Sequence, residues 1–313
     1  MISKPTYIKD DHTKSSFFNE QSRLVCGCSG LGGVWRPIAE KDALDIILFA
    51  LENGVSIFDT APSYNKSQEF LGKALKLWSG EKPIISTKVG RLQSEKADDC
   101  IVDYSPETMK KSVYESLEVI GVDHIDILFL HEPHLVPLHK MDEIMDCLNG
   151  FKKEGIVKML GIGGNPTAAF YPHMIKKNFD VLSGFLKMDA CNLSGFESDI
   201  PHIQREKIAY YAASGLHMGL LGRRLEQYAK ERPNNEWITN KDVDIALQIN
   251  KIAKKYDIPL SRLALRYLFS IKEADRIVVG PSKKEQIVDV LAAWSEGKLA
   301  ESIFDEITET ILR

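Results

Sequence analysis

Short apolar runs alternate along the chain with longer stretches in which apolar residues return every three or four positions. The short runs predict strands at Leu24–Cys28, Val55–Asp59, Ile84–Lys88, Ile125–Leu130, Lys158–Ile162, Val181–Leu186, Lys207–Ala212 and Arg276–Val279. Most carry apolar residues on both faces, as in Ile125-Asp126-Ile127-Leu128-Phe129-Leu130, which is how a parallel strand covered on both sides reads. The longer stretches predict helices. Ala39–Asn53 places Ala43, Ile46, Ile47, Ala50 and Leu51 on one face and stops at Asn53-Gly54, a C-cap signal. Ser105-Pro106-Glu107 starts another with a capping hydroxyl, a proline at the first helical position and an acid in the first turn. Met141–Glu154, Thr239–Tyr256, Leu260–Ser270 and Ser282–Trp294 follow. The alternation predicts an α/β fold, a closed (β/α)8 or TIM barrel, formed as a single domain over residues 1–313. Residues 1–20 are expected as a cap across the barrel bottom or as a tail. Ser194–Arg205 and Arg223–Ile238 are expected as mobile rim loops.

Three of these strands end in ionisable groups: Asp59 ends the second, Lys88 the third, and His131 follows the fourth. The C-terminal strand ends of such a barrel line its active site, and a barrel core would favour Val, Ile or Leu there. Each residue alone has a purely structural explanation: a turn cap, a rim lysine, a satisfied core histidine. Together they point to chemistry. His131, Glu132, His134 and His139 invite a metal reading, but Pro133 and Pro137 break the helix that a His-Glu-x-x-His site needs. No metal is expected.

Composition narrows the class. Forty Lys and Arg against 44 Asp and Glu leave a formal charge of −4, which offers nothing to nucleic acid or an anionic membrane. No apolar run is long enough to span a bilayer. The polar start, Met1 to Asp11, does not read as a secretory signal. Cys26, Cys28, Cys100, Cys147 and Cys191 do not form a disulfide framework in a chain of this length. A reduced, cytoplasmic enzyme is expected, as a monomer or small homo-oligomer.

The segments Phe58-Asp59-Thr60-Ala61-Pro62-Ser63-Tyr64, Ile85-Ser86-Thr87-Lys88-Val89-Gly90-Arg91 and Phe129-Leu130-His131-Glu132-Pro133 resemble the aldo-keto reductase superfamily in order and spacing. The resemblance runs from about Ser22 to Val290. It implies a catalytic tetrad of Asp59, Tyr64, Lys88 and His131, and a nicotinamide dinucleotide lying across the barrel mouth. Tyr64 is then the general acid/base. A free tyrosine titrates near pH 10, so a neighbouring ammonium, Lys88, is needed to favour its phenolate. Asp59 holds Lys88 charged, and His131 orients the substrate oxygen. Matching cofactor segments are Gly27-Cys28, Gly163-Gly164-Asn165, the stretch Ser214 to Leu221 with Leu216 and Gly219, and Gly280-Pro281-Ser282. The helix start after Ser282, with Lys283 and Lys284, offers N–H groups to a phosphate.

The departures from the family pattern matter. Gly163-Gly164 stands where many members carry Ser-Asn, which leaves the carboxamide grip to backbone or to Asn165. Ala213 stands where many carry a stacking aromatic, and Gln286 where NADP-preferring members often carry an arginine. Either NAD or NADP fits, with NAD favoured.

Asp103-Tyr104-Ser105, Gly121-Val122-Asp123-His124-Ile125-Asp126-Ile127 and His131-Glu132-Pro133 resemble the aldose and galactose dehydrogenase branch. That branch implies a sugar oxidised at its anomeric carbon. The sequence itself places Ser63, Asn65, Arg91, Glu132 and His134 near the predicted mouth as polar candidates for sugar hydroxyls, with Glu132 and Trp35 as the expected substrate contacts; for Trp35, after the glycine-rich loop, stacking on a sugar face, closing over the cofactor and packing on the barrel rim all stay open. Other readings stay open: a reductase of simple aldehydes or ketones, a pyridoxal dehydrogenase, a nucleotide-binding barrel without turnover, and an aldolase-type barrel using Lys88 as a Schiff-base amine.

Overall fold

A computed structural model describes residues 4–10, 13–15, 17, 21–94 and 101–313. Eight parallel strands close a barrel: β1 (Leu24–Gly27), β2 (Ile57–Asp59), β3 (Ile84–Val89), β6 (Ile125–His131), β7 (Val157–Gly163), β8 (Val181–Phe185), β9 (Ala209–Ala213) and β10 (Arg276–Val279). Their order around the barrel is β1-β10-β9-β8-β7-β6-β3-β2. All eight coincide with the predicted apolar runs to within a few residues. Between β3 and β6 stands an antiparallel hairpin, β4 (Arg91–Leu92) with β5 (Ile101–Val102). Cys100 lies outside the described residues, and Cys26, Cys28, Cys147 and Cys191 are free and buried.

The helices form the outer layer: α1 (Glu40–Glu52), α2 (Ser67–Leu77), α3 (Pro106–Ile120), α4 (Met141–Lys153), α5 (Ile200–Glu206), α6 (Leu225–Glu231), α7 (Asn240–Lys255), α8 (Leu260–Ser270), α9 (Lys284–Glu296) and α10 (Glu301–Leu312). The Ser105 hydroxyl caps α3 by accepting from Thr108 N–H. Thr239 and Asp242 form a reciprocal capping box on α7. The sequence reading proposed no helix at α2, which carries Gly72 in its middle. There a Cβ would come within 2.5 Å of Val119 O on α3, so the glycine serves close helix packing and does not break the helix. The two expected rim loops contain α5 and α6, short helices with no capping side chain to announce them.

Inward-pointing side chains of the strands fill the barrel: Val25, Ile57, Ile127, Phe129, Val181 and Tyr211 belong to one buried cluster. Phe17 closes it from below, edge-on to Tyr211 at 6.2 Å between ring centroids. Its carbonyl accepts from Arg276, the first residue of β10. The described part of the N-terminal stretch therefore caps the barrel bottom, leaving the opposite end open. Strand register aligns that end: Gly27 pairs with Asp59, Asp59 with Ser86, and His131 with Gly163. No helix among the described residues is long and apolar enough to cross a membrane.

Candidate active site

At the open end Lys88 Nζ donates to Asp59 Oδ2 at 2.6 Å and to Thr60 O at 2.8 Å. The other carboxylate oxygen of Asp59 accepts from the Ser86 hydroxyl at 2.8 Å. Both charged residues are buried, and each offsets the cost of burying the other's charge. Burial works against the Lys88 ammonium, yet Asp59 and Tyr64 outweigh it and raise its pKa. Lys88 therefore stays protonated, which removes the free amine that a Schiff-base mechanism needs.

Tyr64 lies on the loop after β2, its ring centroid 4.7 Å from Lys88 Nζ. Burial pushes its hydroxyl pKa up, and Lys88 pulls in the other direction without fully offsetting it. The ammonium thus acts as the sequence suggests, but its effect is to restrain a rise, not to bring the pKa below that of free tyrosine.

His131 faces Tyr64 edge-on at 6.0 Å between centroids. Burial, then the charges of Lys88 and Arg91, hold its pKa well below the usual histidine range. A neutral ring keeps one N–H to donate. Its Nδ1 is buried with no partner among the described residues. Its Nε2 lies 3.8 Å from Glu132 Oε1, beyond hydrogen-bond reach. The Tyr104 hydroxyl donates to His131 O at 2.8 Å and fixes the backbone there.

Glu132 follows in the left-handed region at φ 53°. Its carboxylate pairs with Arg91 at 2.6 Å and lies 3.7 Å from His134 Nδ1. Leu186, Ser214, His217 and Met218 share that conformation after β8 and β9. Held strain of this kind concentrates at functional sites.

The glycine-rich loop after β1 positions Tyr64. A Cβ on Gly32 would fall 1.8 Å from Tyr64 O and 2.8 Å from Ser67 Cβ, and Lys66 N–H donates to Gly32 O at 3.3 Å. Gly32→Ala must push the Tyr64 loop aside. It is expected to lower turnover about 10- to 100-fold, as displacements near 1 Å do. Stability should fall by only about 1–3 kcal/mol. Parallel thermal melts and kinetics check this, and an unchanged kcat would refute it.

The expected cofactor residues divide into two groups. Gly27, Gly163, Gly164 and Gly280 bring bare backbone to the ends of β1, β7 and β10. A Cβ at Gly163 would meet Phe129 at 3.2 Å and lie 3.6 Å from Lys88 Cδ and 3.7 Å from His131 Cδ2. Gly164, at φ 122°, would meet Pro133. Other residues are already engaged. The Cys28 side chain turns into the core and donates to Cys26 O at 3.6 Å, and its N–H donates to Asp59 O. Asn165 exchanges two hydrogen bonds of 2.9 Å with the Phe185 backbone. Gln286 Oε1 accepts from Ser282 N–H at 2.7 Å, which leaves its amide N–H groups for a ligand.

Leu216, Gly219 and Leu221 belong to a tight turn that starts at Ser214. Buried His217 braces it, with Nδ1 2.7 Å from Asp189 Oδ2. Asp189, Cys191 and His217 are the one group of metal-capable atoms gathered within 4.8 Å among the described residues. Asp189 already accepts from His217, Cys191 N–H and Asn192 N–H there. Trp35 is half exposed at the rim, with its ring edge-on to Trp237 at 6.0 Å.

The sequence reading passed over the roles of Thr60, Ser86 and Tyr104, although all three stand inside motifs it had noted.

An eight-stranded parallel barrel with an Asp–Lys pair, a tyrosine and a neutral histidine at its open end defines the class. The aldo/keto reductase family model matches residues 23–311, and the chain belongs to that family of oxidoreductases. Among particular relatives, the chain is similar to L-galactose dehydrogenase of Arabidopsis thaliana, 30% identical over 88% of this chain and 85% of that one. It is also similar to D-threo-aldose 1-dehydrogenase of a Pseudomonas species, 24% identical over 92% and 94%. A solved aldo-keto reductase from Bacillus halodurans, in its holo form, superimposes with a TM-score of 0.77 at 25% identity, covering 95% of each chain.

Proposed function

We propose that this chain is a nicotinamide-dependent dehydrogenase of a small aldose, oxidising the anomeric hydroxyl to a lactone. The observation that carries the reading is the buried Asp59–Lys88 pair of 2.6 Å set against the Tyr64 ring, with neutral His131 opposite. The similarity to two aldose dehydrogenases points to a sugar. The polar flank of Glu132, Arg91 and His134 supplies donors and acceptors for its hydroxyls.

The site fits a dinucleotide. Glycine backbone at Gly27, Gly163, Gly164 and Gly280 leaves a cradle that side chains would fill. Ser282, Lys283 and Gln286 stand at the start of α9 with donors for a phosphate or ribose. When bound, the nicotinamide ring supplies the hydride acceptor. The residues of this chain manage the proton. In oxidation, the Tyr64 phenolate takes the hydroxyl proton of the substrate while the carbon loses hydride. Lys88 stabilises that phenolate, and Asp59 keeps Lys88 charged. His131 donates its N–H to the substrate oxygen and fixes its direction. In the reverse direction the Tyr64 phenol returns the proton.

The test is turnover with NAD and NADP separately, followed by dinucleotide absorbance, against a panel of aldoses with pyridoxal and simple aldehydes alongside. An aldose is expected to be oxidised at the highest kcat/KM. Turnover of aldehydes alone would replace the sugar reading with an aldehyde reductase, and binding without turnover would replace it with a nucleotide-binding barrel.

A further inference from the structure

The motif Asp103-Tyr104-Ser105 has no part in the proton chemistry. It closes the segment between β5 and α3. Asp103 Oδ1 accepts from Ser105 N–H at 2.8 Å, and its Oδ2 accepts from the Thr108 hydroxyl at 2.6 Å. Asp103 N–H donates to Gly90 O at 2.9 Å. These bonds tie the start of α3 to the end of β3, and Tyr104 is buried between them. Gly90, at φ 101°, makes room for it, since a Cβ there would fall 2.3 Å from the ring. The Tyr104 hydroxyl donates to His131 O at 2.8 Å and shares its proton with Glu132 O at 3.1 Å.

Two successive carbonyls face one hydroxyl because the chain has left the strand. Alternate residues of β6 point opposite ways. Ile127 and Phe129 fill the barrel, while Leu128 and Leu130 join the layer under the helices. His131 continues the inner row. An extended Glu132 would continue the outer row and drive a carboxylate under the helices, where burial is costly. It turns instead, at φ 53° and ψ 64°. Its carboxylate comes back over the mouth, 2.6 Å from Arg91 Nη1 and 3.8 Å from His131 Nε2.

Two local effects oppose this turn. The left-handed region is costly for a residue with a side chain, and Pro133 pushes the residue before it towards extended backbone. Three contacts hold the turn against them. Glu132 N–H donates to Gly163 O at 2.9 Å, Leu135 N–H donates to Glu132 O at 2.9 Å, and the Tyr104 hydroxyl spans both carbonyls.

We propose that Tyr104 is a positioning residue that selects substrates with a hydroxyl on the carbon beside the reacting one. By holding the turn it sets the Glu132 carboxylate beside His131. There the carboxylate accepts from the neighbouring hydroxyl while His131 holds the reacting oxygen. This rests on the dehydrogenase reading above and deepens it. An ionised carboxylate is an acceptor only, so a substrate without that hydroxyl desolvates Glu132 and returns no donor.

The test uses the full chain with Tyr104→Phe, Glu132→Ala and the two combined. Phenylalanine keeps the ring against Gly90 and removes only the hydroxyl. The substrates are an aldose in oxidation, and glycolaldehyde and acetaldehyde in reduction, the last two differing by one hydroxyl. Tyr104→Phe is expected to raise KM for the aldose and glycolaldehyde about 10- to 100-fold, the value of one hydrogen bond to a charged acceptor. Its kcat should stay within about threefold, and acetaldehyde kinetics within about twofold. Glu132→Ala should do the same, and the combination should cost no more than Glu132→Ala alone, because both act through one carboxylate.

In a crystal structure of Tyr104→Phe, Glu132 should leave the left-handed region and release Arg91. A Glu132 that keeps its place overturns the proposal. So do equal losses on glycolaldehyde and acetaldehyde, or additive losses in the combination, which would leave Tyr104 a support of the fold alone. If aldehydes are reduced and no aldose is oxidised, the dehydrogenase reading falls, and the two aldehydes still decide the role of Tyr104. Turnover of none of the three removes both.

Discussion

Tyr64→Phe is expected to lower kcat/KM about 10³-fold in both directions while leaving dinucleotide affinity within about twofold. The substitution removes one oxygen and keeps the ring that faces Lys88 at 4.7 Å and His131 at 6.0 Å. Packing is therefore preserved, and what disappears is the proton carrier. Positioned acid–base groups contribute roughly 10²–10⁴-fold. Neither Lys88 nor His131, the ionisable groups that face the Tyr64 ring, can replace it. Lys88 is locked to Asp59 in its charged form, and burial with the charges of Lys88 and Arg91 keeps His131 neutral and a poor base. Stopped-flow or steady-state absorbance measures the loss, and fluorescence titration measures the retained affinity. Residual activity above about one tenth of wild type would remove Tyr64 from the mechanism.

The barrel was legible because its strands are buried on both faces. Runs such as Val55-Ser56-Ile57-Phe58 cannot be mistaken for amphipathic helix, and their polar terminators stand out. Asp59, Lys88 and His131 could be placed at one end of the molecule before any coordinates existed, because parallel strands bring their C-terminal ends together. What could not be read falls into two kinds. Gly32 and Gly72 look like turn formers or breakers in the sequence, yet both are contact glycines. The backbone they touch, Tyr64 and Val119, lies many residues away. The Arg36–Ser282 contact joins loops 246 residues apart, and no local pattern reports such a pairing. The direction of the Tyr64 shift was hidden for a related reason. Neighbouring charge can be inferred from motif spacing, whereas the burial that outweighs it depends on the whole packed mouth.

Lys88→Met is expected to lower oxidation by a further route, and its pH dependence separates that route from loss of structure. Lys88 restrains the rise that burial imposes on the Tyr64 pKa, so without it the pKa climbs further. Oxidation uses the phenolate and rises with pH towards that pKa, so in the variant the rise begins at higher pH. Reduction uses the phenol and fails above the same pKa, so its alkaline limb also moves to higher pH. At neutral pH the oxidation rate should fall on the order of 10³-fold. The variant also strands Asp59, buried and left only with its Ser86 hydroxyl bond. Breaking one side of a buried pair costs about 3–5 kcal/mol, whereas replacing both sides with apolar groups is often neutral. Asp59→Leu combined with Lys88→Met should therefore regain most of the stability lost by the single variant and none of its turnover. Denaturant melts of wild type, single and double variants, run beside pH–rate profiles, make the distinction. A pH profile in Lys88→Met that is unmoved from wild type would show that the ammonium does not tune Tyr64, and a double variant that regains turnover would show that the pair serves the fold alone.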